Sequence, residues 1–195
     1  LYRTGPKWIS RGDRVVVLGR NGTGKTQLVR MVNAALSGEE SPIKSAPTVV
    51  MGYADQSLSQ LDPDATPMHI ITHSFDVGDQ RARGLLASAG MSIAMQDTRL
   101  DALSGGQKAR LAMLVLRLTH PNFYLLDEPT NHLDIDGQEA LEDELVAHGA
   151  SCLLVSHDRS FVRAVANRFW LVDRRRLVEI DDPEEFFAQE MAAAE

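Results

Sequence analysis

The feature that most constrains this chain is a glycine-rich segment between a short apolar run and a helical pattern. Residues 15–18 are Val-Val-Val-Leu, which is typical of a buried strand, and apolar residues at helical spacing follow Lys25. The segment fits Gly-x-x-x-x-Gly-Lys-Ser/Thr, a loop whose backbone N–H groups and following helix N-terminus face phosphate oxygens. Its residues, together with the next one, are Gly19, Arg20, Asn21, Gly22, Thr23, Gly24, Lys25, Thr26 and Gln27. We therefore predict a nucleotide-phosphate site in which Lys25 bridges the β- and γ-phosphates and the Thr26 hydroxyl contacts magnesium.

The rest of the chain alternates apolar runs with helical patterns. Strands are predicted at residues 13–19, 48–53, 123–126, 152–155, 169–172 and 176–180. Helical patterns follow Lys25 and cover most of 57–119, 137–148, 159–167 and 182–195, although a solvated acidic tail fits the last segment equally well. This alternation predicts an α/β fold with a mostly parallel sheet. We expect one domain over 1–195, with a core of 1–56 and 120–181, a helical subdomain at about 57–119 and a C-terminal tail at 182–195.

Composition narrows the classes of function. The formal net charge is -7, and the basic residues are scattered apart from the run at 174–176, so direct DNA binding is not expected and RNA contact is disfavoured. The single cysteine, Cys152, lies in an apolar run and permits no disulfide framework. The sequence has no signal-peptide pattern and no apolar run of about twenty residues. We therefore predict a cytoplasmic location.

A pair of carboxylates follows one of the predicted strands. Asp127 closes the apolar run at 123–126, and Glu128 comes directly after it. Asp127 would hold magnesium through water, while Glu128 could orient or deprotonate a water that attacks the γ-phosphate. A surface acidic pair that caps a strand is the alternative interpretation. The phosphate loop in the same chain favours the catalytic one.

Residues 103–107 read Leu-Ser-Gly-Gly-Gln, which matches the signature segment of ABC ATPases. The serine also suits the N-cap of the helix predicted to follow, and the two interpretations are compatible. In ABC ATPases this helix start binds the γ-phosphate of the ATP held by an opposite cassette. The resemblance therefore implies ATP contacts for Ser104, Gly105, Gly106 and Gln107.

Two further residues stand in the order that ABC ATPases use. Gln56 follows a predicted strand and resembles the Q-loop glutamine, which contacts magnesium and the attacking water. His157 follows the run at 152–155 and resembles the switch histidine, which contacts the γ-phosphate. A lone histidine after a strand is usually structural. Its place as the last of five ordered motifs favours the catalytic interpretation.

The branch of the family is indicated by residues 127–134, Asp-Glu-Pro-Thr-Asn-His-Leu-Asp, which resemble ABC-F proteins through Asn131 and His132. Gln56 and Ser104 lie 48 positions apart (104 minus 56), too close for the helical arm of a first cassette. The chain therefore resembles the second, C-terminal cassette of an ABC-F protein. The resemblance implies a second cassette as partner, in the same native chain or in a homodimer, and in many members contact with the ribosome.

The N-terminus departs from the pattern of the family. A full cassette begins with antiparallel strands and an aromatic residue that stacks on adenine, whereas only eighteen residues precede Gly19 here. We expect these strands and the adenine platform to be missing from the chain. Tyr2 is a weak candidate for the aromatic residue, and Trp8 is expected to pack in the core.

Three functions remain open at this point. The first is ATP hydrolysis by a head-to-tail pair of cassettes, with ATP and Mg²⁺ at each shared site. The second is a nucleotide-gated module whose output is conformational, for example at the ribosome. The third, less favoured, is the nucleotide-binding subunit of a membrane transporter, which would require a transmembrane partner.

Overall fold

A single six-stranded sheet forms the centre of the computed structural model, which describes residues 3–147 and 149–194. The strands are β1 (Arg14–Leu18), β2 (Met51–Ala54), β3 (Phe123–Asp127), β4 (Ser151–Val155), β5 (Arg168–Asp173) and β6 (Arg176–Ile180). Their order across the sheet is β2-β3-β4-β1-β5-β6. All neighbouring pairs are parallel except β5 and β6. The predicted α/β fold with a mostly parallel sheet is confirmed.

Eight helices connect or follow these strands in the described part of the chain. They are α1 (Lys25–Leu36), α2 (Pro67–Ser74), α3 (Asp79–Ser88), α4 (Ile93–Gln96), α5 (Gly105–Thr119), α6 (Ile135–Ala147), α7 (Arg159–Val165) and α8 (Glu184–Ala194), with a short 3-10 turn at Leu100–Ala102. The acidic C-terminal segment is therefore a helix rather than a solvated tail. No helix in the described residues is long and apolar enough to cross a membrane.

The side chains of β1 enter two apolar layers on opposite faces of the sheet. Val16 and Leu18 contact the cluster that α6, α7 and α8 build on one face, whereas Val15 and Val17 contact the cluster that includes the apolar side of α1. The three valines are completely buried. Burial on both faces explains why β1 is a continuous apolar run, as expected for an interior strand of a parallel sheet. The phosphate loop thus leaves the sheet from a rigid central strand.

The helices between β2 and β3 have a hydrophobic cluster of their own. Ile71 of α2, Leu86 of α3 and Leu111 of α5 are completely buried in it. The same cluster includes Leu103, the residue directly before the predicted signature serine. The start of α5 is therefore supported by helix packing rather than by the sheet.

The N-terminal segment differs from one expectation. Trp8 is 67% exposed, so the prediction that it packs in the core is wrong. The neighbouring Ile9 packs against the apolar cluster instead, while Trp8 contributes its backbone carbonyl, which accepts from Nη1 of Arg168 at 3.0 Å. Tyr2 lies outside the described residues. In the part of the chain that the structure describes, β5 and β6 form the only antiparallel pair.

Candidate nucleotide site

The loop between β1 and α1 depends on glycine at three positions with positive φ. The φ angles are 151° at Gly19, 78° at Gly22 and 100° at Gly24, a region that other residues rarely adopt. A Cβ atom at Gly19 would lie 2.8 Å from the carbonyl oxygen of Val172 on β5, so this position has no space for a side chain. The loop therefore approaches the neighbouring strand closely and turns its backbone into the first turn of α1.

The other loop residues surround this turn. The Thr23 hydroxyl donates to the carbonyl of Arg20 at 2.8 Å, and Asn21 and Gln27 are exposed. Arg20 is also exposed, and its Nε lies 3.3 Å from Oε1 of Glu190 on α8. Glu190, the partner of Arg20 in this contact, belongs to none of the predicted motifs.

Lys25 is held inside the loop rather than extended into solvent. Its Nζ donates to the carbonyl oxygens of Gly19 at 2.6 Å and Arg20 at 3.2 Å, and the residue is only 7% exposed. Burial lowers the pKa of Lys25, while the charges of Glu128, Asp127 and Glu190 act in the opposite direction. The ammonium is hydrogen-bonded to carbonyl oxygens, so an arriving phosphate would not have to displace a carboxylate from it.

Asp127 and Thr26 supply hard oxygen donors beside the lysine. Asp127 ends β3, is 2% exposed, and accepts a hydrogen bond from the Thr26 hydroxyl. Burial raises the pKa of Asp127, and the threonine hydroxyl opposes that shift. The donor set fits Mg²⁺, which binds through one or two protein oxygens together with phosphate oxygens and water. Among the described residues no group of three or more His, Cys, Asp or Glu residues could hold a metal alone.

Glu128 has a strained backbone and faces the switch histidine candidate. Its φ is 52°, its N–H donates to the carbonyl of Val155 at 2.9 Å, and its Oε2 accepts from the backbone N–H of His157 at 3.3 Å. The imidazole Nε2 lies 3.5 Å from Oε1 of the same carboxylate. Left-handed φ values at non-glycine residues concentrate at functional sites, because the surrounding structure must enforce them. The turn after β3 therefore holds the glutamate against the end of β4.

The electrostatics of this pair suit proton transfer. Burial raises the pKa of Glu128, although the bond from the His157 backbone opposes the shift. Burial and the charge of Lys25 lower the pKa of His157, so its imidazole is neutral at pH 7. A carboxylate with a raised pKa beside a neutral imidazole can accept a proton from water near neutral pH.

Gln56 is exposed in a turn directly after β2. The turn is fixed by Asp55, whose carboxylate accepts from the hydroxyls of Tyr53 and Ser59 and from the Ser59 N–H at 2.8 Å. Burial and the adjacent Asp55 raise the pKa of Tyr53 to about 12, which keeps the phenol protonated as a donor. Gln56 lines a narrow pocket together with Glu128, so the structure brings these two predicted residues together.

The signature segment forms the capped start of α5, outside the phosphate loop. Ser104 caps α5: its hydroxyl accepts from the N–H of Gln107 at 3.3 Å, and Oε1 of Gln107 accepts from the N–H of Ser104 at 2.8 Å. Ser104 and Gly105 are exposed. No hydrogen bond or ion pair within residues 3–147 and 149–194 joins this segment to the phosphate loop.

The signature helix contacts the segment after Glu128. The sequence analysis did not predict these contacts. A Cβ atom at Gly105 would lie 3.4 Å from Nδ1 of His132, and the Arg110 guanidinium donates to Asp134 at 3.0 Å. His132 also lines the pocket that contains Gln56 and Glu128. The histidine belongs to the string at 127–134, which indicated a family branch but gave no signal for a contact with α5.

Comparisons with known proteins agree with this geometry. Residues 8–131 match the family described as ABC transporter. A probable ATP-binding protein, YheS of Haemophilus influenzae, is 32% identical over 94% of this chain, and ABC transporter F family member 5 of Arabidopsis thaliana is 32% identical over 93%. The chain spans 30% and 26% of the length of these two relatives. Their length leaves room for more than one such unit.

The fold also matches solved structures of ATP-binding cassettes. A dimeric post-hydrolysis state of the cassette MJ0796 bound to ADP and Pi superposes with a TM-score of 0.70 at 19% identity, over 90% of this chain and 88% of that one. At this identity the match shows the fold alone. The family match covers more than half of the chain, and the two relatives are each 32% identical to it over more than nine tenths of its length. The chain therefore belongs to the ABC transporter family, as a single ATP-binding cassette of the ABC-F type.

Proposed function

We propose that this cassette binds ATP with Mg²⁺ and hydrolyses it as one half of a head-to-tail pair. The observation that carries the proposal is the convergence of a buried lysine, a buried aspartate and a strained glutamate at the carboxyl ends of β1 and β3. Lys25 and the loop N–H groups would hold the phosphates. Thr26 and Asp127 would hold Mg²⁺, with Gln56 as a further ligand from the turn after β2. Bound Mg²⁺ would neutralise charge on the phosphate oxygens.

Glu128 and His157 would serve the attacking water. Glu128 orients the water and accepts its proton, and the water oxygen then forms a bond to the γ-phosphorus while the bond to the β-phosphate oxygen breaks. The products are ADP and inorganic phosphate. His157, held against the same carboxylate at 3.5 Å, would donate to the γ-phosphate, and Lys25 would stabilise the charge on its oxygens.

The separation of the signature segment supports pairing with a second cassette. Ser104, Gly105, Gly106 and Gln107 would contact the γ-phosphate of the partner's ATP, since the capping box uses the N–H groups of Ser104 and Gln107 and leaves those of Gly105 and Gly106 for an anion. The partner would be a cassette in the same native chain or a second copy. We also propose that residues 57–119 act as a helical subdomain that carries the signature.

The proposed biology is that of a cytoplasmic ABC-F protein whose nucleotide state controls binding to the ribosome. Its support is the similarity to a relative of the ABC-F type, ABC transporter F family member 5 of Arabidopsis thaliana. Co-sedimentation of the full-length protein with ribosomes, with ATP and then with ADP, tests this finer proposal. Binding that is equal in both states contradicts it.

ATP titration of the chain and of Lys25→Ala tests the core of the proposal. We expect the variant to lose on the order of 100-fold in affinity, because it removes a charge-assisted contact to phosphate. Lys44→Ala, which removes an exposed lysine outside the loop, is the matched control and should bind as the wild type does. Equal isotherms for the wild type and Lys25→Ala would contradict the assignment of the phosphate site.

A further inference from the structure

The C-terminal helix α8 contacts two parts of the nucleotide site that belong to different sequence motifs. At its start, the Glu184 carboxylate accepts from Arg159 and from Nε of Arg163 at 2.7 Å, both on α7, the helix that directly follows the His157 segment. Near its end, Oε1 of Glu190 lies 3.3 Å from Nε of Arg20 in the phosphate loop. The helix therefore spans from the switch-histidine side to the phosphate-loop side.

Core packing fixes where α8 places these charges. Phe186 is 8% exposed and Phe187 is 6% exposed, and both contact the apolar cluster that contains Leu154 and Phe161. The Phe187 N–H also donates to the carbonyl of Pro183 at 3.1 Å. Because the two phenylalanines anchor the first turn of the helix, Glu190 is held near the loop rather than at the end of a loose tail.

The Glu190 carboxylate interacts with the same positively charged groups that would interact with a bound phosphate. The backbone carbonyl of Arg20, its ion-pair partner, is one of the two acceptors of the Lys25 ammonium. Its charge also raises the pKa of Lys25 and of His157, against the larger effect of burial in each case. Within the described residues, Glu190 is the acidic residue whose charge acts on both groups, and it lies outside the ATP motifs.

We propose that Glu190 is an internal anion that competes with the nucleotide phosphates, so that α8 sets the affinity of the cassette for ATP. The inference depends on the proposed ATP function and assigns a further residue to it. ATP binding brings several negative charges against Arg20 and Lys25, which weakens the pair between Arg20 and Glu190. Removing the charge of Glu190 therefore strengthens nucleotide binding.

Affinity for ATP, ADP and AMP, measured by titration calorimetry with Glu190→Gln, tests this proposal. We expect about threefold tighter ATP binding, because the pair is partly exposed and partly screened. The gain should be smaller for ADP and absent for AMP, which has no β- or γ-phosphate. It should also shrink in about 0.5 M salt, since exposed charges are then screened over a few ångströms.

Glu185→Gln is the matched control because it removes the same charge from an exposed position one turn earlier on α8. It should bind all three nucleotides as the wild type does. Unchanged or weaker ATP binding by Glu190→Gln, or an equal gain for ATP and AMP, would overturn the role of Glu190. If the wild type fails to bind ATP, the proposed function itself fails, so the two outcomes are distinguishable. Circular dichroism with a thermal melt verifies that α8 stays folded in both variants.

Discussion

The phosphate loop and the signature segment are both glycine-rich entrances to helices, but their surroundings differ. Gly24 enters α1 in a left-handed conformation without a side-chain cap, and Lys25 and Asp127 beside it are nearly buried. Ser104 enters α5 in an extended conformation with a complete capping box, and it is exposed. Side chains usually satisfy the first N–H groups of a helix, so an entrance without them keeps its donors for a ligand. Under the proposed function, the phosphate loop with Lys25 and Asp127 is a buried half-site for the chain's own ATP, and the segment at 104–107 is an exposed half-site for the ATP of a partner.

The substitution with the largest expected effect tests whether the buried half-site carries out ATP hydrolysis. Glu128→Gln should lower ATP turnover by about 100- to 1000-fold, because the amide cannot accept the proton of the attacking water. ATP binding should persist, since Lys25 and the loop remain. Phosphate release under saturating ATP measures turnover, and Glu139→Gln, at an exposed position of α6, is the control. Undiminished turnover in Glu128→Gln would remove the glutamate from the mechanism.

A substitution in the signature segment should leave nucleotide binding by the single chain intact. Ser104→Ala removes the cap of α5 and should lower the free energy of unfolding by about 1 kcal/mol. The ATP isotherm should not change, because no hydrogen bond or ion pair of the described residues joins this segment to the phosphate loop of its own chain. Ser104→Asp, which retains a capping oxygen, should recover the stability. A large loss of ATP affinity in the alanine variant would contradict the separation of the two half-sites.

The pKa shift of Glu128 gives a stability test of the buried half-site. A carboxyl whose pKa is raised by burial binds its proton more tightly in the folded state, so its favourable contribution exists at low pH and is lost as the pH rises through the raised pKa. Above that pKa, Glu128→Gln should be more stable than the wild type by roughly 1 kcal/mol. The difference should vanish towards about pH 4. Urea unfolding across pH measures it, and a difference independent of pH would contradict the burial effect.

The smallest expected effect concerns backbone strain outside both half-sites. Arg174 and Arg175 turn the β5–β6 hairpin with φ values of 44° and 62°, a conformation that glycine adopts without steric cost. Arg175→Gly should raise the free energy of unfolding by about 0.5 kcal/mol. ATP affinity should be unchanged, in contrast to substitutions near Glu128. Thermal melts compare it with Arg175→Ala, which keeps the strain and should give no gain.

Sequence patterns predicted the centre of the sheet well because β1, β3 and β4 are short, apolar and almost continuously buried. β6 was predicted with its observed bounds, and α1 begins at Lys25 as expected from the loop pattern. Trp8 was predicted wrongly because aromatic character indicates burial only on average, and the backbone of residues 5–10 turns Ile9 inward instead. Local pattern does not determine which of two adjacent apolar residues faces the core.

The motif residues of the site were also predictable, but their tertiary contacts were not. Glu128 and His157 stand 29 positions apart in sequence, and they meet because β3 and β4 are neighbours in the sheet. The contacts of Glu190 and His132 arise from the packing of α8 and α5, for which no short motif exists. Short motifs identify the chemistry that a family shares. Contacts between single residues that are far apart in the sequence are seen only in the structure.

The position of β1 in the sheet has a consequence for the order in which the protein can fold during synthesis. Arg14 of β1 pairs with Cys152 of β4, 138 positions later (152 minus 14), and β5 closes the other side. The phosphate loop leaves β1 early in the chain, yet its supporting strand has no neighbours until residues beyond 150 have been made. Such distant pairings form slowly, because a long loop must close before any contact stabilises it. A nascent chain therefore acquires its nucleotide loop near the end of translation of this cassette, and a ribosome stalled before residue 150 would carry a chain unable to bind ATP.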